Sequence, residues 1–110
     1  MDTILIIDDE QTIRMLLSRI LELEGYEVFQ AKDRASGLEM LKKHEVQVIL
    51  CDVFLPDGNG VIMVPELKKI APQANIILLT AHGNIPDGVQ AIKNGAFDYI
   101  VKGDDNRKII

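Results

Sequence analysis

The sequence contains no tryptophan and a single cysteine. One thiol cannot form an internal disulfide, so a disulfide-stapled scaffold is excluded. Cys51 sits inside an apolar run and reads as a small core residue, as suits a reducing cytoplasm. Positive charge is also scarce: 12 Lys and Arg stand against 17 Asp and Glu, for a net charge of −5. Nucleic-acid binding needs a basic face that displaces counterions from phosphates, and none is present. The Lys-Lys pairs at 42–43 and 68–69 fall near the ends of helical patterns, where cations meet the helix dipole favourably. This domain is therefore expected to hold neither DNA nor RNA. Long apolar stretches are missing as well. Runs such as "IILL" at 76–79 are far shorter than the ~20 residues of a membrane span. The N-terminus has neither the basic nor the apolar part of a signal peptide. A cytoplasmic protein without membrane contact is expected.

What remains is globular. With 110 residues, 47% hydrophobic and 26% charged, the chain has the length of one domain, 1–110, and enough apolar material for a core. Five runs rich in Ile, Val and Leu read as strands: "TILII" (3–7), "YEVFQA" (26–31), "VQVILC" (46–51), "NIILLT" (75–80) and "FDYIVK" (97–102). The first, third and fourth are nearly continuously apolar, as parallel strands covered on both faces should be. The second alternates, as an edge strand does.

Helical patterns lie between them. Ile13, Leu16, Leu17, Ile20 and Leu21 form one apolar stripe, with Gly25 placed as a C-terminal cap. Residues 33–44 open on Asp33 as N-cap and close on Lys42, Lys43 and His44. The third pattern, 61–71, contains Pro65, which fits a first turn, so this helix is expected to start near Val64 and to stop at Pro72. The fourth, 85–95, has only Ile85, Val89 and Ile92 for an inner stripe, and Gly88 costs it ~1 kcal/mol relative to Ala. A fifth helix barely begins at "DDNRKII" and is expected to be truncated. Alternating strand and helix with right-handed crossovers implies a doubly wound α/β domain, a five-stranded parallel sheet with helices on both faces.

In such a sheet every strand ends at the same edge, where ligands bind. The first strand ends on Asp8 and Asp9, the third on Asp52, the fourth on Thr80 and the fifth on Lys102. Two like charges about 4 Å apart repel by about 4 kcal/mol at an effective dielectric near 20. Three clustered carboxylates therefore take up protons or share a cation. Lys102 can neutralise one of them, and an all-oxygen, part-hydrated remainder suits Mg²⁺ best. A carboxylate beside a metal and a lysine can attack phosphorus. Asp52, alone at the end of a central strand, is the candidate nucleophile, and Asp8 and Asp9 are better placed to hold the metal. Taken alone, the Asp8-Asp9 pair reads equally well as a helix cap. The matching strand ends favour the site.

The segments "IIDDE" (6–10), "VILCDVFLPDGNG" (48–60), "LLTAHG" (78–83) and "AIKNGAFDYIVK" (91–102), in this order and spacing, resemble the receiver domain of a bacterial two-component response regulator. The resemblance covers the whole chain. Its "TAHG" and "NGAFDYIVK" phrasing is similar to receivers joined to transcription activators of the nitrogen-regulation type. It implies a flavodoxin-like sheet with strand order 2-1-3-4-5, an arrangement that is a standard doubly wound example. It further implies that Asp52 accepts a phosphoryl group from a sensor histidine kinase. Asp9, Asp52 and the backbone carbonyl of Phe54 would ligate Mg²⁺, with Asp8 joining directly or through water. Lys102 would pair with Asp52 and later with a phosphoryl oxygen, Thr80 would donate its hydroxyl to another, and the small Ala81 would leave the site open. Tyr99 matches the switch aromatic. An output domain on the same full-length chain and a phosphorylation-dependent homodimer are implied as partners, and a signalling switch rather than a turnover enzyme.

The chain departs from the family pattern where Gly103, not proline, follows Lys102. A non-proline cis bond costs ~2.5–4 kcal/mol, so the Lys102–Gly103 bond is either trans or cis under strain. Two other readings compete with the switch. A receiver-like interaction module would work without phosphate, although every expected site position is filled here. A hydrolase of the haloacid dehalogenase class would need a second Asp where Phe54 stands, and a cap domain.

Overall fold

The structure, a computed structural model, describes residues 2–81 and 83–101. Expectations that fall on Lys102, Gly103 and the start of a fifth helix lie outside the described residues. Strands β1 (Thr3–Ile7), β2 (Glu27–Ala31), β3 (Val48–Asp52), β6 (Asn75–Thr80) and β7 (Asp98–Val101) form a parallel sheet in the order β2-β1-β3-β6-β7. The short strands β4 (Phe54–Leu55) and β5 (Gly58–Asn59) pair antiparallel as a hairpin directly after β3. With that hairpin set aside, the order is the expected 2-1-3-4-5. Helices α1 (Gln11–Leu23), α2 (Arg34–Lys43), α3 (Gly60–Ile70) and α4 (Ile85–Lys93) connect the strands.

The continuous hydrophobicity of the central strands follows from burial on both faces. Leu5, Ile7, Ile49, Cys51, Ile76 and Leu78 point to one side and pack with Leu41 of α2, Val64 and Leu67 of α3, and Ala91 of α4. Ile4, Ile6, Leu50, Leu79 and Ile100 point to the other and meet Leu17 and Leu21 of α1. Gly25 has φ +97°, the left-handed conformation expected just beyond the end of α1. Asp33 caps α2 as expected: its carboxylate accepts from the Ser36 amide at 2.8 Å, and the Ser36 hydroxyl returns the contact. Donation from the Ser36 hydroxyl, and next from its amide, lowers the Asp33 carboxyl from its ordinary value.

Three helical expectations need correction. Helix α3 starts at Gly60, not near Val64, because the Asn59 side chain caps it by accepting from the amides of Val61 and Ile62. Pro65 consequently lies inside the helix. A proline there leaves the carbonyl four residues earlier without its donor. That carbonyl belongs to Val61, and Asn94 at the end of α4 donates its side-chain amide to it at 2.8 Å. The substitute bond explains why the first-turn rule fails. In α4 the expected inner stripe faces outward: Ile85, Val89 and Ile92 are 83%, 48% and 51% exposed, and the buried residue is Ala91. In α1 the stripe is narrower than expected, since Leu17 and Leu21 are buried while Leu16 is exposed.

Candidate functional site

Asp8 directly follows β1, and its amide extends the β1–β2 ladder by donating to the Ala31 carbonyl at 3.0 Å. Its carboxylate is buried and accepts from the Glu10 amide at 2.9 Å. Its carbonyl accepts from Arg14 Nη1 at 2.6 Å, so the first turn of α1 holds the loop from behind. Asp9 is exposed. Asp52 is the last residue of β3 and is 7% exposed. Because Cys51 stands opposite Ile7 in the register, Asp52 comes level with Asp8. Ligand oxygens of Asp8, Asp9 and Asp52 all lie within 4.8 Å of one another.

Thr80 ends β6 and is fully buried. Asp52 pairs with Leu79, so Thr80 stands one residue beyond it at the same edge, opposite Val101 of β7. The structure thus brings together Asp8, Asp9, Asp52 and Thr80. Lys102, the next residue after Val101, lies outside the described residues. Phe54, in the hairpin, directs its backbone amide at Asp52 Oδ1 from 3.2 Å, which brings its backbone beside the acid while its side chain is exposed. The Tyr99 ring is half-buried against Gly83 and Gly88. A Cβ at either glycine would come within 3.3 Å of it. Its hydroxyl is buried and has no hydrogen-bond partner among the described residues. The Cys51 thiol is pushed up from its usual pKa by burial first, then by the charges of Asp52 and Asp8, and this disfavours a nucleophilic thiolate.

The donor set fits a hard cation. Three carboxylates at one sheet edge, one of them exposed, with no imidazole or thiol donor in the group among the described residues, suit a part-hydrated Mg²⁺. Sequence reasoning overlooked two features around these acids. Gly60 passes over the Asp52 carbonyl. Asp57, in the hairpin turn, bonds to the start of α2, 22 residues away in sequence. Neither long-range partner leaves a signal in the local pattern.

A doubly wound parallel sheet with an acid cluster and a buried threonine at its C-terminal edge defines a flavodoxin-like α/β domain whose acidic edge suits a cation. The family comparison is specific: the chain belongs to the response regulator receiver domain family, whose model matches residues 4–110. The transcriptional regulatory protein GlrR of Escherichia coli strain K12 is 35% identical over 99 residues, which cover 90% of this chain and 22% of that protein. The chain therefore spans about a fifth of that relative's length. A response regulator from Burkholderia pseudomallei, solved with a phosphorylated aspartic acid, calcium and citrate, superposes with a TM-score of 0.93 at 31% identity, covering 99% of this chain and 64% of that one. The beryllofluoride-activated receiver domain dimer of NtrC4 gives a TM-score of 0.92 at 36% identity, over 99% of this chain and 90% of that one. The chain is a receiver, the phospho-accepting module of two-component regulators, with relatives of the nitrogen-regulation type. This sets aside the hydrolase reading.

Proposed function

We propose that Asp52 accepts a phosphoryl group from the phosphohistidine of a sensor histidine kinase and that the resulting aspartyl-phosphate biases the domain toward an active conformation. The observation that carries this reading is the gathering of Asp8, Asp9 and Asp52 within 4.8 Å at the ends of two adjacent central strands. A carboxylate oxygen of Asp52 attacks phosphorus; the O–P bond forms as the P–N bond breaks, and its electron pair returns to the imidazole nitrogen. Asp9, Asp52 and the Phe54 carbonyl would hold Mg²⁺, with Asp8 joining directly or through water, and the ion would supply charge neutralisation for the phosphoryl oxygens. Thr80 donates its hydroxyl to one phosphoryl oxygen and Lys102 pairs with another.

The switch follows from packing. Gly83 lies against Thr80, Tyr99 and Val101, so a shift of Thr80 toward the phosphoryl group is felt at Tyr99. An output domain on the same full-length chain reads the change, and the exposed apolar side of α4 supports a phosphorylation-dependent homodimer. Self-catalysed phosphotransfer and slow hydrolysis are the only chemistry assigned, in a cytoplasmic setting.

Incubation with Mg²⁺ and acetyl phosphate, read by intact mass, tests the proposal. Wild type gains one phosphoryl group and Asp52→Asn gains none. Absence of any adduct on wild type would instead favour a phosphorylation-independent interaction module.

A further inference from the structure

The first amides of a helix have no partner within it and need donors' counterparts from outside. In α2, the third amide, of Ser36, is capped by Asp33. The first two are satisfied from another part of the chain: Asp57 Oδ1 accepts from Arg34 N at 2.7 Å and Oδ2 from Ala35 N at 3.0 Å. Asp57 lies in the turn between β4 and β5. The same contact continues into α3, because Arg34 donates Nε and Nη2 to the two oxygens of Glu66 at 3.0 and 2.6 Å. The aliphatic stem of Arg34 crosses Gly58, where a Cβ would come within 2.9 Å of Arg34 Cδ. Hairpin, α2 and α3 are thus joined by one polar chain.

We infer that Asp57 is a positioning residue for the phospho-acceptor site: by bolting the hairpin turn to α2, it fixes the Phe54 backbone against Asp52. The inference rests on the proposed roles of Asp52 and Phe54. A hairpin of two residues per strand is not stable by itself. Only two residue pairs hold this one, Phe54 with Asn59 and Leu55 with Gly58. Its base is held by the Gly60 amide on the Val53 carbonyl at 2.7 Å and its tip by Asp57. Surface ion pairs such as Arg34–Glu66 add little stability, but a two-point fork sets orientation. Residues that orient a metal ligand typically change metal affinity 10–100-fold when removed.

The test is Mg²⁺ titration of the whole domain, followed by amide shifts of residues 8, 9 and 52–60. It is paired with hydrogen exchange at Phe54 and Gly60 in metal-free protein. Asp57→Ala, an exposed change that leaves the core intact, is expected to weaken Mg²⁺ binding about 10-fold and to speed exchange at both amides. Asp57→Asn keeps a side-chain acceptor without the charge and should recover most of the affinity. Asp33→Ala removes a cap from the same helix without touching the hairpin, and should leave Mg²⁺ affinity unchanged. Three results would overturn the inference. These are unchanged affinity in Asp57→Ala, an equal loss in Asp33→Ala (general loosening of α2), or an equal loss in Asp57→Asn (charge alone). A wild type that takes up neither Mg²⁺ nor a phosphoryl group sinks the phospho-acceptor reading itself, so the two failures are distinct.

Discussion

A Cβ built at Gly60 would lie 2.7 Å from the Asp52 carbonyl oxygen and 3.0 Å from Cα of Val53. Both obstacles are backbone, so no side-chain rotation relieves them. Gly60 is also the first residue of α3 and donates its amide to the Val53 carbonyl. Gly60→Ala must therefore push the start of α3 away from the strand end that carries Asp52. We expect a loss of about 1–3 kcal/mol in urea unfolding, typical of overpacking, together with slower phosphorylation by acetyl phosphate. A variant as stable and as quickly phosphorylated as wild type would show that the close approach is not needed. At this scale the three acids and the threonine were legible in the sequence, since Asp8, Asp9, Asp52 and Thr80 all end apolar runs. The need for glycine at 60 was not, because the atom it avoids belongs to a different element.

Helix α3 shows where local rules stop. Pro65 argues for a late helix start only if nothing replaces the bond it removes, and Asn94 replaces it from 33 residues away. Asn94 is itself held: its Oδ1 accepts from Gln90 Nε2 at 2.7 Å. Asn94→Ala leaves the Val61 carbonyl without this donor and is expected to cost about 1–3 kcal/mol, the usual penalty for an unsatisfied buried group. In a Pro65→Ala background the restored amide can serve that carbonyl, so the penalty should shrink. Urea denaturation of the four proteins in this double-mutant cycle measures the coupling. Additive effects would mean that Asn94 does not stand in for the missing amide. The caps of α1 and α2 were readable because Gly25 and Asp33 act within their own helices. The outward face of α4 was not, because three apolar residues at helical spacing do not say which side the sheet lies on.

Across the whole molecule the elements are unequally anchored. Helix α2 is tied at its start by Asp33 and Asp57 and through Arg34 to α3, whereas α4 buries only Ala91 and carries Gly88 against Tyr99. A perturbation at Thr80 therefore meets less resistance toward α4 and β7 than toward α2. With Mg²⁺ and beryllofluoride, amide shifts outside the site should concentrate in residues 83–101 and spare 33–44. Shifts clustered in 33–44 would contradict this ranking. No helix among the described residues is long and apolar enough to cross a membrane.

The sequence by itself determined the alternation of strand and helix, the parallel sheet and the edge at which its acids collect. Hydrophobic period and strand termini are local properties, readable a few residues at a time. Tertiary structure alone decided the level at which Asp8 meets Asp52, the start of α3, the outward side of α4 and the tie from Asp57 to α2. Each of these depends on a carbonyl, amide or methyl group meeting a partner from a distant segment, and such meetings exist only once the chain has packed.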